Sequence, residues 1–260
     1  MRNAATTKTA AEYDAFARAY DRYFSERLAA LQRGEYTRST SLEALFEHRE
    51  PTAILDCACG PGHLALELAH RGYLVVGTDI SREMIRIAKQ HAREFHLPAR
   101  FAVCAWADLP QKVRRQFGLV LCAGNAIGHC RNGREMIRAL RAMHDVLKPG
   151  GVLHLDTRWW ERYRESKDRF STFRAKTVDG ERLIWLNVRH YPRRFQDPHL
   201  IEVVVVTVGA DGATSTESFP VTYYPFRVGE LKRRLRAAGF RDLEVGLRGD
   251  AWYSVTAQRP

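Results

Sequence analysis

The residues best placed to do chemistry lie in Asp56-Cys57-Ala58-Cys59-Gly60-Pro61-Gly62, which closes an apolar run from Ala53 and leads into His63-Leu64-Ala65. Two glycines let backbone approach a ligand closely, and the start of a helix presents unpaired N–H groups there. Further on, Gly77-Thr78-Asp79-Ile80-Ser81 ends a second apolar run on a carboxylate able to accept both hydroxyls of a ribose. Gly60-x-Gly62-x-x-Ala65 with Asp79 also satisfies the dinucleotide fingerprint, so the loop alone is ambiguous. Asp56 separates the readings: a carboxylate at that strand end repels a pyrophosphate and suits the α-ammonium of an amino-acid ligand, which favours S-adenosylmethionine (SAM) over NAD.

The elements that must position these residues follow from hydrophobic periodicity. Tyr13, Phe16, Ala17, Tyr20, Phe24, Leu28 and Leu31 recur at helical spacing, and Leu42, Leu45 and Phe46 resume after a break at Gly34, which predicts two amphipathic cap helices. Strands are expected at 53–59, 74–78, 99–104, 118–123 and 152–156, alternating with helices at 64–71, 81–95 and 134–147, with Lys148-Pro149-Gly150-Gly151 as a turn before the fifth strand. Alternation at these lengths predicts βαβ units and a parallel sheet covered on both faces. From about Ser171 to Tyr224 the texture changes to strand-like runs at 182–189, 200–208 and 217–222 with no helix between them, an antiparallel insert. A helix at 228–238 and strands at 242–245 and 252–257 return the chain to the sheet.

Together, the glycine loop, Asp79 followed by Met84 and Ala88, and Lys148-Pro149-Gly150-Gly151 resemble the class I SAM-dependent methyltransferases. The match tightens toward glycine and sarcosine N-methyltransferases through Gly124-Asn125-Ala126-Ile127-Gly128-His129, Asp156-Thr157-Arg158, Tyr223-Tyr224-Pro225-Phe226 and Ala238-Gly239-Phe240. The resemblance implies an α/β, Rossmann-like class I methyltransferase fold: a mostly parallel seven-stranded sheet with helices on both faces, a helical cap and an antiparallel β insert. It divides the chain into a cap at 1–50, a SAM-binding core at 51–158, an insert or substrate lid at 159–224, and C-terminal elements completing the sheet at 225–260.

Carried over by position, the resemblance implies that SAM is held by Tyr13, Asp56, Ala58, Gly60, Gly62, Asp79, Ile80, Met84, Trp106, Ala123 and Asn125. Met84 would pack beside adenine, Trp106 would stack on it, Tyr13 would close over the cofactor and Asn125 would touch its methionine part. The catalytic set would be Asn125, Arg158, Tyr223, Tyr224 and His129, with Arg158 pairing with the substrate carboxylate. Ala105 departs from the acidic or amide residue that the broader family uses to read the adenine amino group, and Arg158-Trp159-Trp160 is bulkier than the family's usual segment. Each pick has a plainer alternative: Tyr13 and Tyr20 as core-facing aromatics, His129 as a satisfied structural histidine, and Trp159 and Trp160 as packing residues.

The expected reaction is transfer of a methyl group to the amine of a small carboxylate such as glycine or sarcosine. The rivals are a natural-product N- or O-methyltransferase with a larger acceptor and an RNA or DNA base methyltransferase. The second rival rests on charge, 41 Lys plus Arg (seven of them lysine) against 30 Asp plus Glu, a balance of +11. It is demoted because base-amino methyltransferases resemble one another in a (D/N/S)-P-P-(Y/F) segment where this chain reads Gly124-Asn125-Ala126-Ile127. Nucleic acid is therefore set aside as a partner, a membrane is not expected, and a homo-oligomer is compatible with the resembling family. The start MRNAATTKTA has no apolar core and the aliphatic run Val203 to Val206 is far too short to span a bilayer, so a cytoplasmic protein is expected. Five cysteines with no CxxC pair match no common zinc pattern and read as reduced thiols, so a site from Cys57, Cys59 and the His129-Cys130 pair is set aside and no metal is expected.

Overall fold

A computed structural model describes residues 4–35, 46 and 53–260, with side chains from residue 7. The helix expected around Leu42 and Leu45 lies outside the described residues. The N-terminal periodicity folds as α1 (Ala4–Phe24) and α2 (Glu26–Gln32). The break falls at Ser25, whose hydroxyl donates back to the Arg22 carbonyl at 2.9 Å, a bond that competes with the helical ladder.

The core then runs β1 (Ile54–Asp56), α3 (His63–His70), β2 (Val75–Asp79), α4 (Arg82–Glu94), β3 (Arg100–Val103), α5 (Leu109–Lys112), β4 (Phe117–Cys122), α6 (Gly133–Asp145) and β5 (Leu147–Arg158). Ser81 caps α4 by accepting from the Met84 N–H at 3.0 Å, and Asn132 caps α6 by accepting from Glu135 N–H at 2.9 Å. After α7 (Trp160–Glu165) come β6 (Phe170–Thr172), β7 (Lys176–Val178), β8 (Glu181–His190), β9 (His199–Val208) and β10 (Thr214–Tyr223). The chain closes with α8 (Val228–Ala237), β11 (Arg241–Arg248) and β12 (Trp252–Gln258).

One seven-stranded sheet has the order β11-β12-β5-β4-β1-β2-β3, parallel from β5 to β3 and antiparallel where β12 meets β5 and β11. Ile54, Leu119, Leu121 and Val152 join one hydrophobic cluster while Leu55, Val120 and Leu153 join another on the opposite face, so both sides of the sheet are covered. The mostly parallel Rossmann-like sheet expected from the sequence is thereby found. The second sheet, β10-β9-β8-β6 with β7 on β8, is antiparallel throughout. The Lys148–Gly151 segment is not a free turn. It is the entry of β5, where Gly150 N–H donates to Arg259 O at 2.9 Å and Arg259 N–H donates to Gly151 O at 2.8 Å, so pairing with the chain end recruits it into the strand.

Gly77 fixes how closely β2 approaches its neighbours. A Cβ there would lie 2.5 Å from the Phe101 ring and 3.0 Å from Cys59 Sγ. Gly77→Ala is therefore expected to destabilise the fold by about 1–3 kcal/mol, read by urea unfolding, because a ring packed between strand and glycine loop cannot retreat. An unchanged unfolding midpoint would show that the contact yields freely.

Candidate functional site

The carboxyl ends of β1, β2, β4 and β5 open under α1 and the inner face of the insert into a cavity of about 830 Å³. Ligands of open α/β sheets collect at this edge. Tyr13, Asp56, Ala58, Gly60, Asp79, Ile80, Met84, Trp106, Ala123, His129, Arg158 and Tyr223, all anticipated from sequence, line it. Gly62, Asn125 and Tyr224 are not among the lining residues.

Gly60 (φ +52°) and Gly62 (φ +88°) both take the left-handed backbone, and Gly62 starts α3. The loop is tied to the end of β2 because the Gly60 N–H donates to Asp79 Oδ2 at 2.9 Å, while Ser81 N–H donates to Asp79 Oδ1 at 2.9 Å. Burial pushes the Asp79 carboxyl up and these N–H donors oppose the shift. A carboxylate has about four acceptor positions, so both oxygens retain capacity for ribose hydroxyls. Trp106 is anchored by donating Nε1–H to Cys57 O at 2.7 Å.

Asp56 is 2% exposed and accepts only a long bond from Ala58 N–H, at 3.3 Å. Burial, with Asp79 and Asp156 nearby, pushes its carboxyl up to about 7. No cationic side chain among the described residues pairs with this carboxylate, and its chemistry suits the α-ammonium of SAM. Raised above its unfolded value of 3.8, the group costs nothing below about pH 4. Its cost to the ligand-free fold then grows as pH rises to about 7 and is constant above. Asp56→Asn is accordingly expected to be more stable than wild type by about 2 to 4 kcal/mol at pH 8, to lose that advantage at pH 4.5, and to bind SAM poorly. Unfolding curves that stay parallel at both pH values would contradict this.

After β4, Gly124 (φ +72°) and Asn125 (φ +64°) turn the chain so that both N–H groups reach Asp156 Oδ1, at 2.7 and 3.3 Å. Arg248 pairs with the other oxygen of that carboxylate. The Asn125 side chain is engaged inward: Oδ1 accepts from Thr157 Oγ1 at 2.7 Å and from the Arg158 N–H at 3.1 Å. The backbone donor fixes which amide atom is oxygen, and the buried Nδ2 is left without a partner. Asn125 thus ties the β4 turn to the end of β5.

His129 donates from Nδ1 to the Thr222 carbonyl at 2.9 Å, so its Nε2 is bare and accepts the Tyr13 hydroxyl at 3.0 Å. Tyr13 oxygen, its proton committed, accepts from Tyr223 at 3.4 Å. The chain of donors therefore ends in phenol lone pairs at the cavity. Burial drives His129 down to about 4 and raises Tyr13 well above the usual phenol range, so neither is a general base near neutral pH.

Arg158 closes β5 and faces the cavity. Its Nη1 donates to Tyr163 OH at 2.7 Å, its carbon lies 4.9 Å from the Tyr163 ring centroid, 5.4 Å from Tyr223 and 5.6 Å from Trp252, and its buried Nε has no partner. No carboxylate among the described residues pairs with it. Asp156 is taken by Arg248, and Glu161 accepts from Val228 N–H at 3.3 Å.

Sequence reading missed the far wall, where Phe173, Trp185, Asn187, Ile201 and Val203 of the insert join Trp252. The signal was there in β8: Leu183, Trp185 and Asn187 alternate to one face, and an asparagine on an apolar face accepts from the Trp185 indole at 3.0 Å. Trp160 is fully buried against Tyr163, His199 and Tyr223, and Trp159 carries the Arg162 guanidinium at 4.1 Å, so both pack.

Residues 54–151 match a family model described as a methyltransferase domain. The glycine/sarcosine N-methyltransferase of Parasynechococcus marenigrum is 31% identical over 121 residues, 46% of this chain and 43% of that protein. The glycine N-methyltransferase of Oryctolagus cuniculus is 26% identical over 213 residues, covering 71% and 68%. The chain thus spans less than half the length of the first of these relatives. A solved SAM-bound amino pentose methyltransferase of calicheamicin biosynthesis, from Micromonospora echinaspora, superposes with a TM-score of 0.68 at 21% identity over 89% of this chain and 95% of the other. No helix among the described residues is long and apolar enough to cross a membrane. The matched segment, which spans the glycine loop, Asp79 and the turn after β4, is thus a methyltransferase domain, and the fold around it is the one shared with the solved SAM-bound methyltransferase.

Proposed function

We propose that the chain is a cytoplasmic N-methyltransferase that methylates the amine of a small carboxylate of the glycine or sarcosine class. The observation that carries this reading is Arg158, a cavity-facing guanidinium with no carboxylate partner of its own among the described residues. A guanidinium of this kind recognises a carboxylate through two parallel hydrogen bonds. The similarity to glycine and sarcosine N-methyltransferases supports the same acceptor class.

Asp56, Asp79, the glycine loop and Trp106 would hold SAM, which when bound supplies the electrophilic methyl group and departs as a neutral thioether. What remains for the chain is positioning and exclusion of water. Arg158 holds the acceptor's carboxylate while the lone pairs at the end of the His129–Tyr13–Tyr223 chain accept an acceptor N–H and direct the nitrogen lone pair away from them. With His129 Nε2 occupied by the Tyr13 hydroxyl and both groups buried, neither is placed to take the amine's proton, and the amine is expected to arrive neutral. Turnover at limiting acceptor is therefore expected to climb from pH 7 to 9, following the neutral amine. A flat profile with chemistry rate-limiting would point to an acceptor that is already neutral.

A second reading, a larger natural-product acceptor such as an amino sugar, is favoured by the aromatic far wall of Phe173 and Trp185 and by the solved amino pentose methyltransferase. Methyl-labelled SAM offered with amino acids, plain amines, amino sugars and phenols decides between them: label in glycine or sarcosine supports the proposal, and label only in amino sugars or phenols refutes it.

A further inference from the structure

Asp21 of α1, His63 of the first turn of α3 and His91 of α4 converge beside the cavity, and their ligand atoms all lie within 4.8 Å of one another. We propose that these three side chains bind one zinc-class divalent cation, which pins the N-terminal helix to the core. The site stands independently of which acceptor is methylated.

The geometry already brings two imidazole nitrogens onto one carboxylate oxygen. Asp21 Oδ1 is 2.8 Å from His63 Nε2 and 2.9 Å from His91 Nε2. His63 is nearly buried, at 4% exposed, and the Asp21 and His91 side chains are 20% and 13% exposed, which leaves an entry path and room for water at the remaining coordination position. Two imidazoles and one carboxylate suit zinc, cobalt or nickel, whereas calcium and magnesium demand oxygen sets. Glu94 Oε2 lies 3.4 Å from His91 Nδ1, and a carboxylate accepting from Nδ1–H leaves the Nε2 lone pair free, as in metal-ligating histidines. Without a metal, the same contacts require both rings to carry a proton on Nε2, which together with the Glu94 bond makes His91 an imidazolium. Metal binding then releases that proton, moves the His63 proton to Nδ1 and involves no change of oxidation state. Asp21 and Glu94 supply negative charge, partly offset by Arg27 near His63.

The position gives the cation a role. α1 also carries Tyr13, Tyr20 and Phe24 into the cavity wall. Three ligands spread over positions 21, 63 and 91 form no short motif, which is why spacing rules for metal sites pass over them.

The test is titration of tag-free, chelator-treated full chain with Co²⁺, followed by displacement with Zn²⁺. The expected result is one equivalent bound, with an absorption spectrum of nitrogen and oxygen ligation and no thiolate charge-transfer band. Affinity is expected to fall at least 100-fold in both D21N and H91A, while SAM still raises the Tm of both variants, which shows them folded. H91Q serves as a second probe should H91A unfold. Substoichiometric binding, a thiolate band from the buried cysteines, or affinity unchanged in the variants would overturn the proposal and leave Asp21 as a hydrogen-bonded clamp only.

Discussion

Arg158→Lys is expected to raise the KM for the carboxylate acceptor roughly 10- to 1000-fold, or about 1.4 to 4 kcal/mol, while leaving SAM affinity nearly unchanged. The lysine ammonium is a point charge that cannot reproduce two parallel N–H donors, and its stem cannot hold a planar head between the Tyr163, Tyr223 and Trp252 rings. A purely structural role would have shown as a bridge to Glu161 or Asp156, and neither pairs with Arg158: Asp156 takes Arg248, while Glu161 accepts only from the Val228 N–H through Oε1 and leaves its buried Oε2 without a partner. The stability cost should accordingly be small, since what is lost is one hydrogen bond to Tyr163 and ring contacts. A fall in Tm with KM unmoved would detach the acceptor from this arginine and remove the amino-acid reading with it.

Asp79→Ala is expected to weaken SAM and S-adenosylhomocysteine binding by about 2 to 4 kcal/mol, because two ribose hydroxyls lose a charged acceptor in a dry site. The same carboxylate organises the loop through Gly60 and Ser81, so alanine mixes lost contact with lost order. Asp79→Asn separates them: it keeps an oxygen for one backbone N–H but removes the charge, and most of the affinity should still be lost. Calorimetric affinity within threefold of wild type in both variants would sink the ribose assignment.

What the sequence made legible is what local rules govern. Ser81 before Met84 announces α4, Asp79 at the end of an apolar run lands at the cavity, and Leu183-x-Trp185-x-Asn187 alternates as a strand must. The misses are decided by tertiary contacts. Trp160–Glu165 is only a turn and a half of helix, held by the burial of Trp160 and Tyr163, and β6 and β7 exist because β8 offers them an edge. Lys148–Gly151 carries turn residues yet pairs with Arg259 from the far end of the chain. The family motif places Asn125 at the site, but only the structure shows its amide oxygen committed to Thr157 and Arg158. The convergence of Asp21, His63 and His91 was equally illegible, since three helices bring it about.

Selection of a carboxylate-bearing amine by Arg158 in the cavity beneath α1 is open to a single comparison of substrates. The most direct measurement offers methyl-labelled SAM with glycine and, in parallel, with methylamine, which keeps the amine and lacks the carboxylate. Label is expected in glycine with kcat/KM at least 100-fold above that for methylamine, and the ratio should collapse toward one in the Arg158→Lys enzyme. Equal labelling of the two amines by the wild-type enzyme, or a ratio untouched by the substitution, would contradict it.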